Sequence, residues 1–175
     1  MKKIISMICM ILFGFVLQTT LFQKLSFGDI SPNLLIIVTA SYGFMYGERH
    51  GMLVGFLCGL LMDVFYGSVL GFYALLFLYI GACNGLFHRV FYQDDLKLPL
   101  ALITGSDIVY SLLCYILLFL LRGRFAFGFY VKNVIFPELV YTIFVTIFLY
   151  PIILFINNKL NNSEKRGDRK LAKKD

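Results

Sequence analysis

The sequence predicts an all-α integral membrane protein built as a six-helix transmembrane bundle. Three observations predict it. Hydrophobic residues make up 59% of the chain and charged residues only 15%, against roughly 25% charged in an ordinary soluble domain. The mean hydropathy is +0.81, which makes a bilayer a better solvent than water for this chain. The apolar residues are gathered into separate runs, several near the ~20 residues that cross a ~30 Å hydrocarbon core at 1.5 Å per residue. The length of 175 residues fits one domain, and no segment reads as a second, soluble module.

Six spans follow in order, at about residues 4–22, 34–46, 52–65, 72–87, 98–121 and 139–156. The first begins behind Met1-Lys2-Lys3 and imitates a signal peptide. It lacks a small-residue cleavage site and runs on through Gln18-Thr19-Thr20, so it reads as a signal anchor that stays in place. The second and third are short, and either extend into their flanks or form a tight helical pair whose ends are covered by protein neighbours. The segment from Phe125 to Pro137 is aromatic, carries Lys132 and Asn133, and ends in a proline. It reads as an interfacial stretch in the outer leaflet. The expected organisation is a six-span domain over residues 1–160 and a basic cytoplasmic tail over 161–175, solvated and without a fold of its own.

Charge sets the orientation. The net charge is +6. With six spans, Lys2, Lys3, Arg49, Arg89, Lys97 and the tail from Lys159 to Lys174 fall on one side. Lys24, Arg122, Arg124 and Lys132 fall on the other. Cytoplasmic loops carry the excess of Lys and Arg, so both termini are expected in the cytoplasm. A basic end beside a membrane fits anionic lipid better than nucleic acid.

Glycine recurs every four residues at Gly43, Gly47, Gly51, Gly55 and Gly59. Asp63 occupies the next step, and Gly67 and Gly71 resume it. The helix must break near Glu48-Arg49-His50, so the pattern is two ladders. Residues four apart share a helix face, and glycine there lets a second backbone approach closely. Gly81 and Gly85 repeat the device on the fourth span.

Three acids lie in or beside apolar runs. Asp107 falls near mid-span, where a charge costs about 2.5–3.5 kcal/mol on insertion scales. It reads either as a contact for a partner, ion or substrate, or as a hydrogen-bond anchor to a neighbouring helix. Asp63 and Glu138 are placed at span ends, where charge is cheap. The candidate partner or packing residues are therefore Gly43, Gly47, Gly51, Gly55, Gly59, Asp63 and Asp107.

No constellation points to catalysis, a cofactor or a metal. Cys9, Cys58, Cys83 and Cys114 lie singly in apolar runs and read as small packing residues. His50 and His88 fall in loops without a ligand neighbour. Phosphate-binding and hydrolase motifs are missing.

The segment Leu17-Gln18-Thr19-Thr20-Leu21-Phe22 resembles the MreD family of rod shape-determining proteins, as does Pro32-Asn33-Leu34-Leu35-Ile36-Ile37. So do Gly47-Glu48-Arg49-His50-Gly51, Gly55-Phe56, Gly59-Leu60-Leu61-Met62-Asp63, Gly67-Ser68, Leu70-Gly71 and the Gly81 to Gly85 repeat. The resemblance covers residues 17–87, and the second half is similar only in having two further spans, a hydrophobic hairpin and a basic end. It implies a multi-pass protein of the bacterial plasma membrane in the cell-elongation machinery. There it would act as a scaffold or regulator of peptidoglycan synthesis rather than as an enzyme. The implied partner is a membrane-anchored MreC-type protein. Through it come an MreB-type filament, a RodA-type glycosyltransferase and a penicillin-binding transpeptidase. The family's helices are also similar to the substrate-binding subunits of energy-coupling-factor vitamin transporters. Such a subunit, binding a small vitamin, is the alternative reading. A membrane enzyme depending on Asp107 or Asp63 is a third.

Overall fold

A computed structural model describes residues 2–22, 24, 31–67, 69–90, 96–119 and 127–171. The described residues are nearly all helical, joined by short turns, and include no strand. Helix α1 (Lys2–Leu17) continues into a π-helical turn (Gln18–Phe22). Then come α2 (Leu34–Tyr46), α3 (Glu48–Tyr66), α4 (Phe72–Leu86) with a 3-10 turn (Phe87–Val90), and α5 (Lys97–Cys114) with a π-turn (Tyr115–Phe119). The last helical segment starts as α6 (Phe127–Tyr130), passes through a π-turn (Val131–Ile135) and becomes α7 (Phe136–Leu171). Among the described residues, four stretches are long and apolar enough to cross a membrane, namely Ile4–Phe22, Glu48–Tyr66, Lys97–Leu118 and Gly128–Lys159.

Helix α2 is the centre of the bundle. Every residue from Leu34 to Met45 is buried. A helix that is apolar all round has no face suited to water and belongs inside. At 13 residues it is only about 20 Å long, so its ends would leave backbone groups unpaired in lipid. At its start, its own N-cap and two neighbouring helices satisfy them. Leu35 N donates to Gln18 Oε1 of α1's π-turn at 3.2 Å, Ile36 N to Asn33 Oδ1 at 3.3 Å, and Asn33 N to Thr142 Oγ1 of α7 at 3.2 Å. In the long outer stretches only 28–33% of residues are buried. Leu12, Phe56, Phe144 and Phe148 on their open faces are the apolar surface that lipid would cover.

The structure corrects three boundaries. The α2–α3 break falls at Gly47 alone (φ +88°), and Glu48-Arg49-His50 form the first turn of α3. Only glycine adopts that backbone cheaply. The expected interfacial stretch belongs, from Phe127 onward, to the last helix. Pro137 denies an N–H to the carbonyl of Asn133, and the wider π-turn at Val131–Ile135 absorbs the gap, so the proline does not stop the helix. Glu138 is consequently inside a long helical run and not at a span end. The helix α7 itself runs on to Leu171, so the start of the basic tail is helical. The tail's Lys, Arg, Glu and Leu are good helix formers, and no proline follows Pro151 to end it. Leu120 and Leu121, expected to close the fifth span, lie outside the described residues.

Candidate functional site

The glycine ladder is spent inside the chain. Helices α3 and α4 pack so closely that a Cβ at Gly51 would strike Gly81, one at Gly55 the carbonyl of Phe77, and one at Gly59 the backbone of Tyr73 and Ala74. A Cβ at Gly43 of α2 would stand 2.7 Å from Gly81 O. From the other side, Gly81 meets Gly51 and Gly85 meets Glu48. Gly47 turns between α2 and α3 with the His88 ring 3.6 Å from its Cβ position. His88 Nδ1 lies 2.9 Å from Phe44 O, holding the last turn of α2. The sequence places His88 in a loop, and it is exposed, but it also ties the 3-10 turn to the central helix.

Asp63 closes the same hairpin at its other end. It is 2% exposed, one turn before the end of α3. Its Oδ2 accepts from Gly71 N at 3.0 Å and Ala74 N at 2.9 Å, and its Oδ1 accepts from Tyr73 N at 2.9 Å. These are N–H groups of the first turn of α4, which no intrahelical carbonyl can reach. A carboxylate there also meets the positive end of the helix dipole. Gly71 has φ +98°, the left-handed conformation that lets the chain turn back onto Asp63.

Asp107 stands apart, on the face of α5 turned to α7. It is 1% exposed and stands beside Thr142. Thr142 accepts from Asn33 N, so its hydroxyl joins α7 to the start of α2. Ser111, one turn on from Asp107, donates to Glu138 Oε2 at 3.5 Å. Asp107 and Glu138 thus both lie at the α5–α7 contact. Farther along α7, Asn157 is bonded to the Tyr46 hydroxyl and donates to Met45 Sδ at 3.4 Å. Among the described residues, no three His, Cys, Asp or Glu side chains stand together as metal ligands.

Sequence reasoning that looked for charges and glycines missed the uncharged polar residues. Gln18, Asn33, Asn84, Thr142 and Asn157 each tie two segments together. Asn84 Nδ2 donates to Ser106 Oγ of α5 at 2.7 Å. The available signal was the isolated amide or hydroxyl in an otherwise apolar run, which lipid cannot satisfy. Beside Asn84, α4 and α5 diverge to leave a groove of about 310 Å³.

No curated protein and no solved structure matches the chain. A family model described as rod shape-determining protein MreD matches residues 1–160.

Proposed function

This chain belongs to the rod shape-determining protein MreD family, and on that premise we propose that it is a non-enzymatic membrane scaffold of the cell-elongation machinery. The match over residues 1–160 carries the reading. Membership makes it a membrane protein with a role in rod shape. The finer proposal is that it holds an MreC-type membrane protein. Through that protein it supports the MreB-type filament, the RodA-type glycosyltransferase and the penicillin-binding transpeptidase that together build peptidoglycan.

Gly43, Gly47, Gly51, Gly55, Gly59 and Asp63 serve that role from inside. They fix α2, α3 and α4 as one body, so that the outer faces keep their shape. Asp63 has its carboxylate filled by three backbone N–H groups, so it acts on any partner through the α3–α4 turn. Asp107 is buried where α5 meets α7, beside the Ser111–Glu138 bond that joins the two helices.

The test is cell shape and partner capture together. Rod-shaped cells depleted of the protein should widen and round up, and expression of the wild type should restore their width. Affinity purification of the wild type from membranes should recover the MreC-type protein. Normal width after depletion, with no elongation protein recovered, would refute the scaffold reading.

The proposed setting is the plasma membrane with six spans and both termini in the cytoplasm, supported by the distribution of Lys and Arg. The basic end past Lys159 then lies against anionic lipid, each Lys or Arg near the surface contributing about 1 kcal/mol before screening. A reporter active only in the cytoplasm should work when fused after Asp175 and stay silent when inserted after Lys24. Activity in the reverse pattern would overturn the topology.

A further inference from the structure

The α3–α4 hairpin ends, on the side of Gly47, in two arginines that its own packing does not use. Arg49 lies in the first turn of α3, and Arg89 in the 3-10 turn that follows α4. The seam holds these two turns together. A Cβ on Gly85 would meet the backbone of Glu48, and the His88 ring lies against Gly47. Arg49 and Arg89 are each one residue beyond those contacts, so the backbone that carries both is fixed by the seam. Both side chains are exposed. Among the described residues neither guanidinium has a hydrogen bond or an ion pair, and Glu48 beside them pairs with neither.

Apolar surface runs away from each of them along the hairpin. On α3, Arg49 shares a helix face with Leu53, Phe56 and Leu60, and all three are exposed. On α4, the exposed residues Tyr79, Cys83 and Leu86 lead up to Arg89 by the same three- and four-residue steps. Arg49 to Leu60 is roughly 16 Å and Tyr79 to Arg89 roughly 15 Å at the helical rise, about one leaflet of a ~30 Å hydrocarbon core. Each stripe is therefore as long as one leaflet is deep, and each carries its guanidinium at the end where the crossing stretch of α3 begins. A soluble acidic peptide would answer the two charges and leave the stripes bare. A neutral acyl chain would cover the stripes and leave the charges unanswered.

We infer that this end of the α3–α4 hairpin is a binding site for an anionic phospholipid, whose phosphate is held by Arg49 and Arg89 and whose acyl chains lie along the two stripes. A guanidinium presents its N–H groups as a planar fork that matches phosphate oxygens, and its stem lies on apolar surface while the head reaches the headgroups. A net negative headgroup is required, because the ammonium of a zwitterionic lipid would set a third cation beside the two arginines. The site belongs to the folded hairpin, unlike the basic end past Lys159, and it needs no partner protein. In the orientation proposed above it meets the cytoplasmic leaflet, where anionic lipid is concentrated.

The experiment titrates the full chain in detergent micelles with phosphatidylglycerol, phosphatidylcholine or inorganic phosphate. Bound lipid is read by native mass spectrometry, and the melting temperature beside it. The variants are Arg49→Gln with Arg89→Gln and, to remove the same charge elsewhere, Lys165→Gln with Arg166→Gln. Wild type and the tail variant should retain phosphatidylglycerol in preference to phosphatidylcholine and melt higher with it. The arginine variant should bind phosphatidylglycerol about tenfold more weakly or worse, with its melting in phosphatidylcholine unchanged. Should that double variant melt lower in phosphatidylcholine, the two single variants take its place. Equal binding of phosphatidylglycerol by wild type and the arginine variants, or a loss confined to the tail variant, would overturn the site. Equal retention of the two lipids by wild type would overturn it too, as expected if Asp94 and Asp95, which lie outside the described residues, answer the arginines instead. Inorganic phosphate that stabilises wild type as much as phosphatidylglycerol does would give the arginines to a free phosphate ligand and overturn the lipid. Each of these outcomes leaves capture of the MreC-type protein, and with it the scaffold reading, to its own test.

Discussion

Gly55→Leu should leave no folded protein after extraction into detergent, while Gly128→Leu should extract and melt like wild type. The difference lies in what a side chain would meet. At Gly55 a Cβ runs into the carbonyl of Phe77 and the backbone beyond it. Backbone within α4 cannot rotate aside as a flexible side chain can, so α3 and α4 must separate along the whole seam. Overpacking of a core costs about 1–3 kcal/mol when side chains can adjust, and occasionally more. A clash of backbone against side chain at the closest helix pair belongs at or above the top of that range. At Gly128 nothing lies within 4 Å of the added Cβ. Gly51→Leu and Gly59→Leu should behave like Gly55→Leu, since each meets the backbone of α4. The measurement is the fraction of detergent-extracted protein that elutes as a single species, followed by a melting curve. Equal elution and melting for Gly55→Leu and Gly128→Leu would overturn the account of the seam.

Asp63→Ala should destabilise the bundle by about 3 kcal/mol, with Asp63→Asn intermediate. The carboxylate accepts three backbone N–H groups, and hydrogen bonds to a charged group contribute about 1.5–3 kcal/mol each without adding fully. Alanine leaves all three donors unpaired and the positive end of α4 unanswered. Asparagine keeps one acceptor oxygen, and loses the charge. A thiol-reactive fluorophore reads the melt directly. Cys58 and Cys114 are buried, whereas Cys9 and Cys83 are exposed, so a Cys9→Ser, Cys83→Ser background reports only on opening of the core. The Asp63→Ala curve should shift to clearly lower temperature. An unshifted curve, with partner capture lost, would return Asp63 to the surface role that the sequence alone allowed.

The two substitutions mark where sequence reading stopped. The four-residue glycine step coincides with close backbone approach to α4 at Gly43, Gly51, Gly55 and Gly59, because helical geometry ties spacing to a face, whereas Gly47 and Gly71 serve turns. It could not say whether the surface across the seam was this chain or another. Asp63 was legible as an acid near a span end, but its partners are main-chain atoms eight to eleven residues away, reached only because Gly71 turns the chain back. Pro137 misled for a related reason. A proline reads locally as a helix stop, and whether a π-turn absorbs it is settled by the path the whole chain must take.

By itself, the sequence determined that the protein is helical and apolar, that its helices follow one another in this order, and that it carries the family pattern, which was read in residues 17–87 and extends over residues 1–160. These properties are carried by composition and local spacing, which need no partner to be read. Only the tertiary structure decided that α2 is the buried centre, that the glycines of α3 are consumed by α4, and that Asn84 is buried where it ties α4 to Ser106 of α5. The physical reason lies in the solvent. In a water-soluble protein, polar residues mark the outward face of each helix. In a bilayer both the interior and the surroundings are apolar, so a leucine against lipid and a leucine in the core look alike in sequence, and the packing of the whole chain tells them apart.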